Sequence, residues 1–195
     1  VVILQVIGAI AGLAPLLAVI ELGRSLLTPG PIDHDRVWFV VIAGAGRAFC
    51  PGHDLKEMLA NSTEDFIGDL FRRCCNVMLT IQRIPQPVIA RVHGIATAAG
   101  CQIVAGCDLA VAEEGARFAT SGVNFGLFCA TPGVPVSRNI SQKRAFEMLM
   151  TGEFIDAKTA LAWGLVNRVV PLADLDGAVL TLAGQMLDKP PAVIG

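Results

Sequence analysis

Unbroken apolar runs alternate with apolar residues at helical spacing along most of this chain. Val37-Trp38-Phe39-Val40-Val41-Ile42 is continuous and lies between a charged loop and Gly44. That is the pattern of a strand buried on both faces, as in a parallel sheet. Residues 64–83 place Phe66, Ile67, Leu70, Phe71, Cys74, Val77, Met78 and Ile81 on one helical face, and Pro85 and Pro87 stop the helix. Val88–Val92 is a second short strand closed by His93-Gly94, residues 98–107 a helix, and Leu109–Ala112 a third buried strand. Ser141–Met150 reads as a helix ended by Gly152. Another begins at Asp156 and stops at Gly164, and Val166–Val170 is a last strand before Pro171. Strands alternating with helices imply βαβ units joined by right-handed crossovers.

The first twenty residues carry no charge, which on length makes Val1–Ile20 a membrane-span candidate. Pro15 and the glycines interrupt the run, no basic residue precedes Arg24, and a buried strand followed by a helix over residues 12–27 fits better. The chain is expected to be soluble, with no membrane partner. It begins without Met and stops soon after Pro190-Pro191, so it is expected to lack N-terminal pieces and a C-terminal helical region. The 195 residues suffice for one domain, 1–195.

Composition narrows the classes. Hydrophobic residues make up 53% and charged residues 16%, which excludes a disordered chain. A net charge of −2 offers no field for nucleic acid. The six cysteines form no C-x-x-C pair, so no metal site is expected, and free thiols in a reducing compartment are the plain reading. That compartment is the cytoplasm, or the mitochondrion in a eukaryote.

Two segments carry candidate chemistry. Phe49-Cys50-Pro51-Gly52-His53-Asp54-Leu55-Lys56-Glu57-Met58 follows a strand and opens a helix, with Asp54 and Glu57 in a capping pattern. Gly94-Ile95-Ala96-Thr97-Ala98-Ala99-Gly100-Cys101-Gln102 does the same. Backbone N–H groups beside small residues can meet a closely approaching substrate, and two converging donors would form an oxyanion hole for a thioester turning into an enolate. Turns of this kind are also ordinary packing devices, and spacing alone leaves both readings open. Gly44-Ala45-Gly46 fails as a dinucleotide fingerprint, because Phe49 holds the third glycine position.

Six blocks, in order, carry a resemblance. They are Phe49–Met58, Pro87–Gly94, Cys107–Ala112, Pro132-Gly133, Thr151-Gly152 and Gly164–Pro171. Together they resemble the crotonase superfamily, the enoyl-CoA hydratase/isomerase family. A narrower likeness, in Ala96–Gln102 and Phe118–Cys129, is to the third type of enoyl-CoA hydratase domain-containing proteins. The resemblance implies an α/β crotonase (ClpP/crotonase-like) fold, with repeated ββα units forming a spiral of mostly parallel sheet surrounded by helices. It implies an acyl-CoA partner, a coenzyme A thioester as substrate or ligand, no covalently bound cofactor, and a homotrimer or hexamer. The oxyanion-hole donors it implies are the backbone N–H groups of His53 and Ala99. His53, Asp54, Leu55, Lys56 and Ala99 would bind substrate; Lys56 reads equally as a solvated helix residue.

Two departures stand out. The positions of the two family glutamates hold Gln102 and Gly122. Adding water to an enoyl thioester needs a base on water and an acid at the α-carbon, and neither residue can transfer a proton. Ordinary hydration is therefore expected to be weak or absent. A non-catalytic acyl-CoA-binding protein is the alternative. Glu113 and Glu114 read as solvated, His93, Ser121 and Asn124 as turn residues, and Cys101 as a buried thiol.

Overall fold

The computed structural model of the chain describes residues 2–7 and 39–187. The helix expected over residues 12–27 lies outside them. Strand β1 (Val2–Ile7) falls where the first uncharged stretch suggested a strand, and runs parallel to β2 (Val40–Ala45), with Val2 opposite Val40 and Ile7 opposite Ala45. β2 thus passes through Gly44 rather than stopping before it as the apolar run suggests. Pairing with β1 carries the strand past the glycine.

Helix α1 (Leu55–Ala60) and the long α2 (Glu64–Arg83) come next. Thr63 Oγ1 accepts from the Phe66 amide at the start of α2, which buries Leu70, Cys74, Val77, Met78 and Ile81. Such side chains contribute roughly 1.5–3 kcal/mol each when fully buried. After α2 come β3 (Val88–Val92), β4 (Ile95–Thr97), α3 (Ala99–Gly106), β5 (Leu109–Glu113) and β6 (Arg117–Ala119). A 3₁₀ turn at Ser121–Phe125 leads into α4 (Ala130–Asn139) and α5 (Gln142–Thr151). The described chain closes with β7 (Ile155–Asp156), α6 (Ala157–Trp163), β8 (Arg168–Val170) and α7 (Leu175–Leu187).

The strands divide between two sheets. Five parallel strands run in the order β1-β2-β3-β5-β8, and a smaller sheet runs β4-β6-β7, with β4 parallel to β6 and β7 antiparallel to it. Successive turns of the chain give one strand to each sheet, β3 then β4, β5 then β6. This is the spiral of mostly parallel sheet that the resemblance implies.

Both faces of the large sheet are covered, as its apolar runs require. Val40, Ile42, Val88, Ala90, Val92, Ala110 and Ala112 point into the main core with α2, α3 and the small sheet. The alternate residues Val41, Ile89 and Val111 join Phe39 in a second core closed by Leu175, Val179 and Ala183 of α7. Arg91, on that second face, pairs with Asp176.

Several half-buried ties sit beyond local pattern. Asp108 Oδ2 accepts from the Val88 amide at 2.7 Å, and Asn167 Oδ1 from the Ala110 amide at 2.7 Å. Glu113 is not the solvated residue its position after a strand suggests. It is half-buried, and its Oε1 accepts from the Gly94 amide at 2.6 Å. Gly94 has φ +60°, and the carboxylate satisfies the amide that this turn leaves without a strand partner.

Candidate functional site

Two chain corners are stitched together beneath α1 and α3. The Cys50 amide donates to the Ile95 carbonyl at 3.0 Å, and the Thr97 amide donates to the Cys50 carbonyl at 3.0 Å. Cys50 thereby pairs with Ala96 and extends the small sheet. A Cβ on Gly100 would overlap the Cys50 carbonyl oxygen, so only glycine lets α3 start this close. On the same seam, a Cβ on Gly52 would lie 3.7 Å from the Ala99 amide nitrogen. The backbone entering His53 and the backbone entering Ala99 are therefore neighbours.

Ala98 sets the direction of that second corner. It has φ 51° and ψ −116°, and it is the one non-glycine with positive φ among the described residues. This pair of angles belongs to the first central residue of a type II′ turn, a glycine position. Ala99 follows as the first residue of α3, where its amide has no intrahelical acceptor.

A third corner closes the space. Gly126 adopts the left-handed conformation after the 3₁₀ turn, and the Leu127 amide donates back to the Gly122 carbonyl at 3.0 Å. Ser121 Oγ sits 2.8 Å from Thr97 Oγ1, and Asn124 Nδ2 donates to the Gly152 carbonyl at 3.4 Å. Both side chains thus tie the turn to distant segments, and neither caps it as the sequence suggests.

The three corners, α1 and α2 surround a cavity of about 310 Å³. His53, Leu55, Ala98, Ala99, Gln102 and Gly122 line it, together with Met58, Phe71, Ser121, Phe125, Leu127, Phe128 and Cys129. The sequence-derived site residues are thus brought together with two exceptions. Asp54 turns its carboxylate to the start of α1, accepting from the Lys56 amide at 2.9 Å and the Glu57 amide at 3.3 Å. Lys56 is exposed beside the opening and not in the wall.

Among the described residues the wall holds no aspartate, glutamate, lysine or arginine, and its titratable side chains are His53 and Cys129. The His53 ring lies 5.4 Å from that of Phe71. Burial holds its pKa below the ordinary histidine value, which favours neutral imidazole. Its Nε2 is buried and has no hydrogen-bond partner among the described residues. Gln102 is 6% exposed, and its Oε1 also lacks a partner among them. Buried polar atoms are paired in the great majority of cases, so two orphans in one wall mark a place built to meet a polar ligand or water.

The place of Gly122 is not empty space. A Cβ there would overlap the Leu127 carbonyl oxygen and lie 2.8 Å from Cys129 Sγ. Leu127, Phe128 and Cys129 had no local signal marking them as cavity residues, because a loop return brings them there. Phe71 and Met58 read as helix-face residues. Cys101 is the inert thiol its sequence suggested: fully buried, its pKa is pushed up to about 12 by desolvation and then by Cys129 nearby. His93 Nε2 lies 3.0 Å from the Gly46 carbonyl, a structural tie. Among the described residues, no cluster of His, Cys, Asp and Glu could hold a metal ion, and no helix is long and apolar enough to cross a membrane.

Comparison with known proteins agrees with this architecture. The family model for enoyl-CoA hydratase/isomerase matches residues 19–195, and the chain belongs to that family. Within it, the chain is 45% identical over 165 residues to the human protein named enoyl-CoA hydratase domain-containing protein 3, mitochondrial. That match covers 84% of this chain and 54% of the relative. A short-chain-enoyl-CoA hydratase of Clostridium acetobutylicum is 33% identical over 172 residues, covering 85% of this chain and 64% of that protein. The chain spans about half the length of the human relative. Among solved structures, an enoyl-CoA hydratase of Mycobacterium smegmatis superimposes with a TM-score of 0.84 at 49% identity, covering 98% of this chain and 75% of that one. The human domain-containing protein 3 structure gives 0.80 at 40% identity, covering 98% and 71%.

Proposed function

We propose that the chain binds an acyl-CoA thioester in the 310 Å³ cavity, holds the thioester oxygen between the backbone N–H groups of His53 and Ala99, and stabilises the enolate. Hydration of 2-enoyl thioesters is weak or absent. The observation that carries the reading is the make-up of the wall. Both donor-bearing corners line it, while the two glutamate positions hold Gln102 and Gly122 and, among the described residues, no carboxylate replaces them. Each acid/base group is typically worth ~10²–10⁴ in rate. Leu55 would contact the acyl or pantetheine chain, with Asp54 ordering the corner and Lys56 available to a CoA phosphate.

A second reading, binding without turnover, is favoured by the unpartnered Gln102 Oε1, which can hold a water but cannot activate it. By analogy with the family we also propose a homotrimer or hexamer, and a mitochondrial location if the source is eukaryotic. The test follows the conjugated-enoyl absorbance of crotonyl-CoA beside calorimetric binding of acetoacetyl-CoA. Binding without catalytic loss of absorbance supports the proposal. Rapid turnover would mean that another group moves both protons, and absence of binding would remove the thioester reading altogether.

A further inference from the structure

Cys129 stands where the missing side chain at position 122 would enter the cavity. Its Sγ is 2.8 Å from the site of a Cβ on Gly122, and it lines the same wall as Ala99 and Gln102. It also immediately precedes the first turn of the ten-residue helix α4. The other cysteines are placed differently. Cys50, Cys74, Cys101 and Cys107 are outside the wall, and burial pushes their thiols up, the first three to about 11, 12 and 12. Cys75 is exposed on α2, away from the cavity. The independent sign of a ligand at this point is Gln102: more than nine-tenths buried in the same wall, with an acceptor oxygen that no described residue satisfies.

We propose that Cys129 is a covalent acceptor site for α,β-unsaturated acyl-CoA thioesters. The inference rests on the thioester reading of the cavity and adds a reaction to it. The sulfur attacks the β-carbon and an S–C bond forms. The electron pair of the C=C bond moves to the thioester oxygen, where the His53 and Ala99 amides hold the enolate. The thiol proton leaves to solvent and a proton from solvent returns to the α-carbon. The sum is addition of S–H across the double bond, with no oxidant or reductant. Gln102 Oε1 accepts a hydrogen bond from the water that carries these protons and takes none itself. With no carboxylate to activate water, the thiol is the strongest nucleophile in the wall.

The experiment incubates the purified chain with crotonyl-CoA, and separately with butyryl-CoA, which has no double bond. Intact mass and peptide mapping are then read, with calorimetric binding of butyryl-CoA measured in parallel. The expected result is one adduct per chain, located on Cys129, formed with crotonyl-CoA only and blocked by excess butyryl-CoA. Enoyl absorbance then falls by one equivalent and stops. Cys75→Ser keeps the adduct and Cys129→Ser loses it; should the latter not fold, mapping on the unaltered chain still decides. A chain that binds butyryl-CoA yet stays unmodified by crotonyl-CoA overturns the proposal, as does an adduct on Cys75 or one that butyryl-CoA does not block. Failure to bind butyryl-CoA would overturn the thioester reading itself, and this inference with it.

Discussion

The backbone of Leu127 closes over Gly122. Its amide donates to the Gly122 carbonyl at 3.0 Å, and its own carbonyl oxygen occupies the space into which a Cβ on Gly122 would project. A longer side chain at position 122 would therefore need the surrounding loop to move, and replacing one side chain will not achieve that. Gly122→Glu is expected to lower stability by about 1–3 kcal/mol through overpacking, without restoring the ~10²-fold or more that a placed acid supplies. Urea midpoints and the crotonyl-CoA progress curve check this. Gln102→Glu faces a different penalty, since the new carboxyl would be buried without a partner and its pKa raised. Its neutral form would be favoured in the fold. Stability would be full below the unfolded value of about 4.3 and fall as pH rises through the folded value.

Ala98 carries its positive φ in place of a glycine, at the residue before the Ala99 amide. Strain of this kind costs on the order of 1–3 kcal/mol. Ala98→Gly should release part of it, offset by ~0.5–1 kcal/mol of added chain entropy, and raise stability by about 1 kcal/mol at most. Ala98→Val, with a β-branched side chain at that φ, should lower it and weaken acetoacetyl-CoA binding. Chemical denaturation and calorimetry on both variants give the two readings; equal stability of all three proteins would refute the strain argument.

His53 supplies a pH dependence of known sign. Its folded pKa is lowered from 6.5 by burial, so the fold favours neutral imidazole. The stability tied to the neutral form is fully present above the unfolded value. It is lost as pH falls from there through the folded value, because the unfolded chain binds the proton first. Urea midpoints at about pH 7.5 and about pH 5.5 should therefore differ, and His53→Gln should shrink the difference. An unchanged difference in the variant would mean that other groups carry the acid sensitivity.

What the sequence made legible follows from what is local. Glu64–Arg83 and Val88–Val92 match their expected ranges because a long helical period and a short β-rich run, each bounded by proline, leave little choice. Caps at Asp54, Asp156 and Gly164 were equally plain. The strands of the small sheet were not, since three residues such as Ile95–Thr97 cannot show an alternation and exist only through pairing. Helix α4 was masked by Pro132 and Pro135. The first sits in the opening turn, where its missing N–H costs little, and the second is carried in the helix interior. In the site, the resemblance supplied His53, Ala99, Gln102 and Gly122. The loop return that sets Leu127 and Cys129 against Gly122 has no counterpart in local pattern, so the sequence showed that Gly122 carries no acid but not that its space is taken.

Helix α7 has a consequence for the order in which this molecule is made. Phe39, Val41, Ile89 and Val111 are translated long before Leu175, Val179 and Ala183, which cover them. Until the ribosome has delivered those last residues, Phe39, Val41, Ile89 and Val111 lack the helix that packs on them. Slower synthesis, or truncation ahead of residue 175, should favour aggregation over a stable shortened protein.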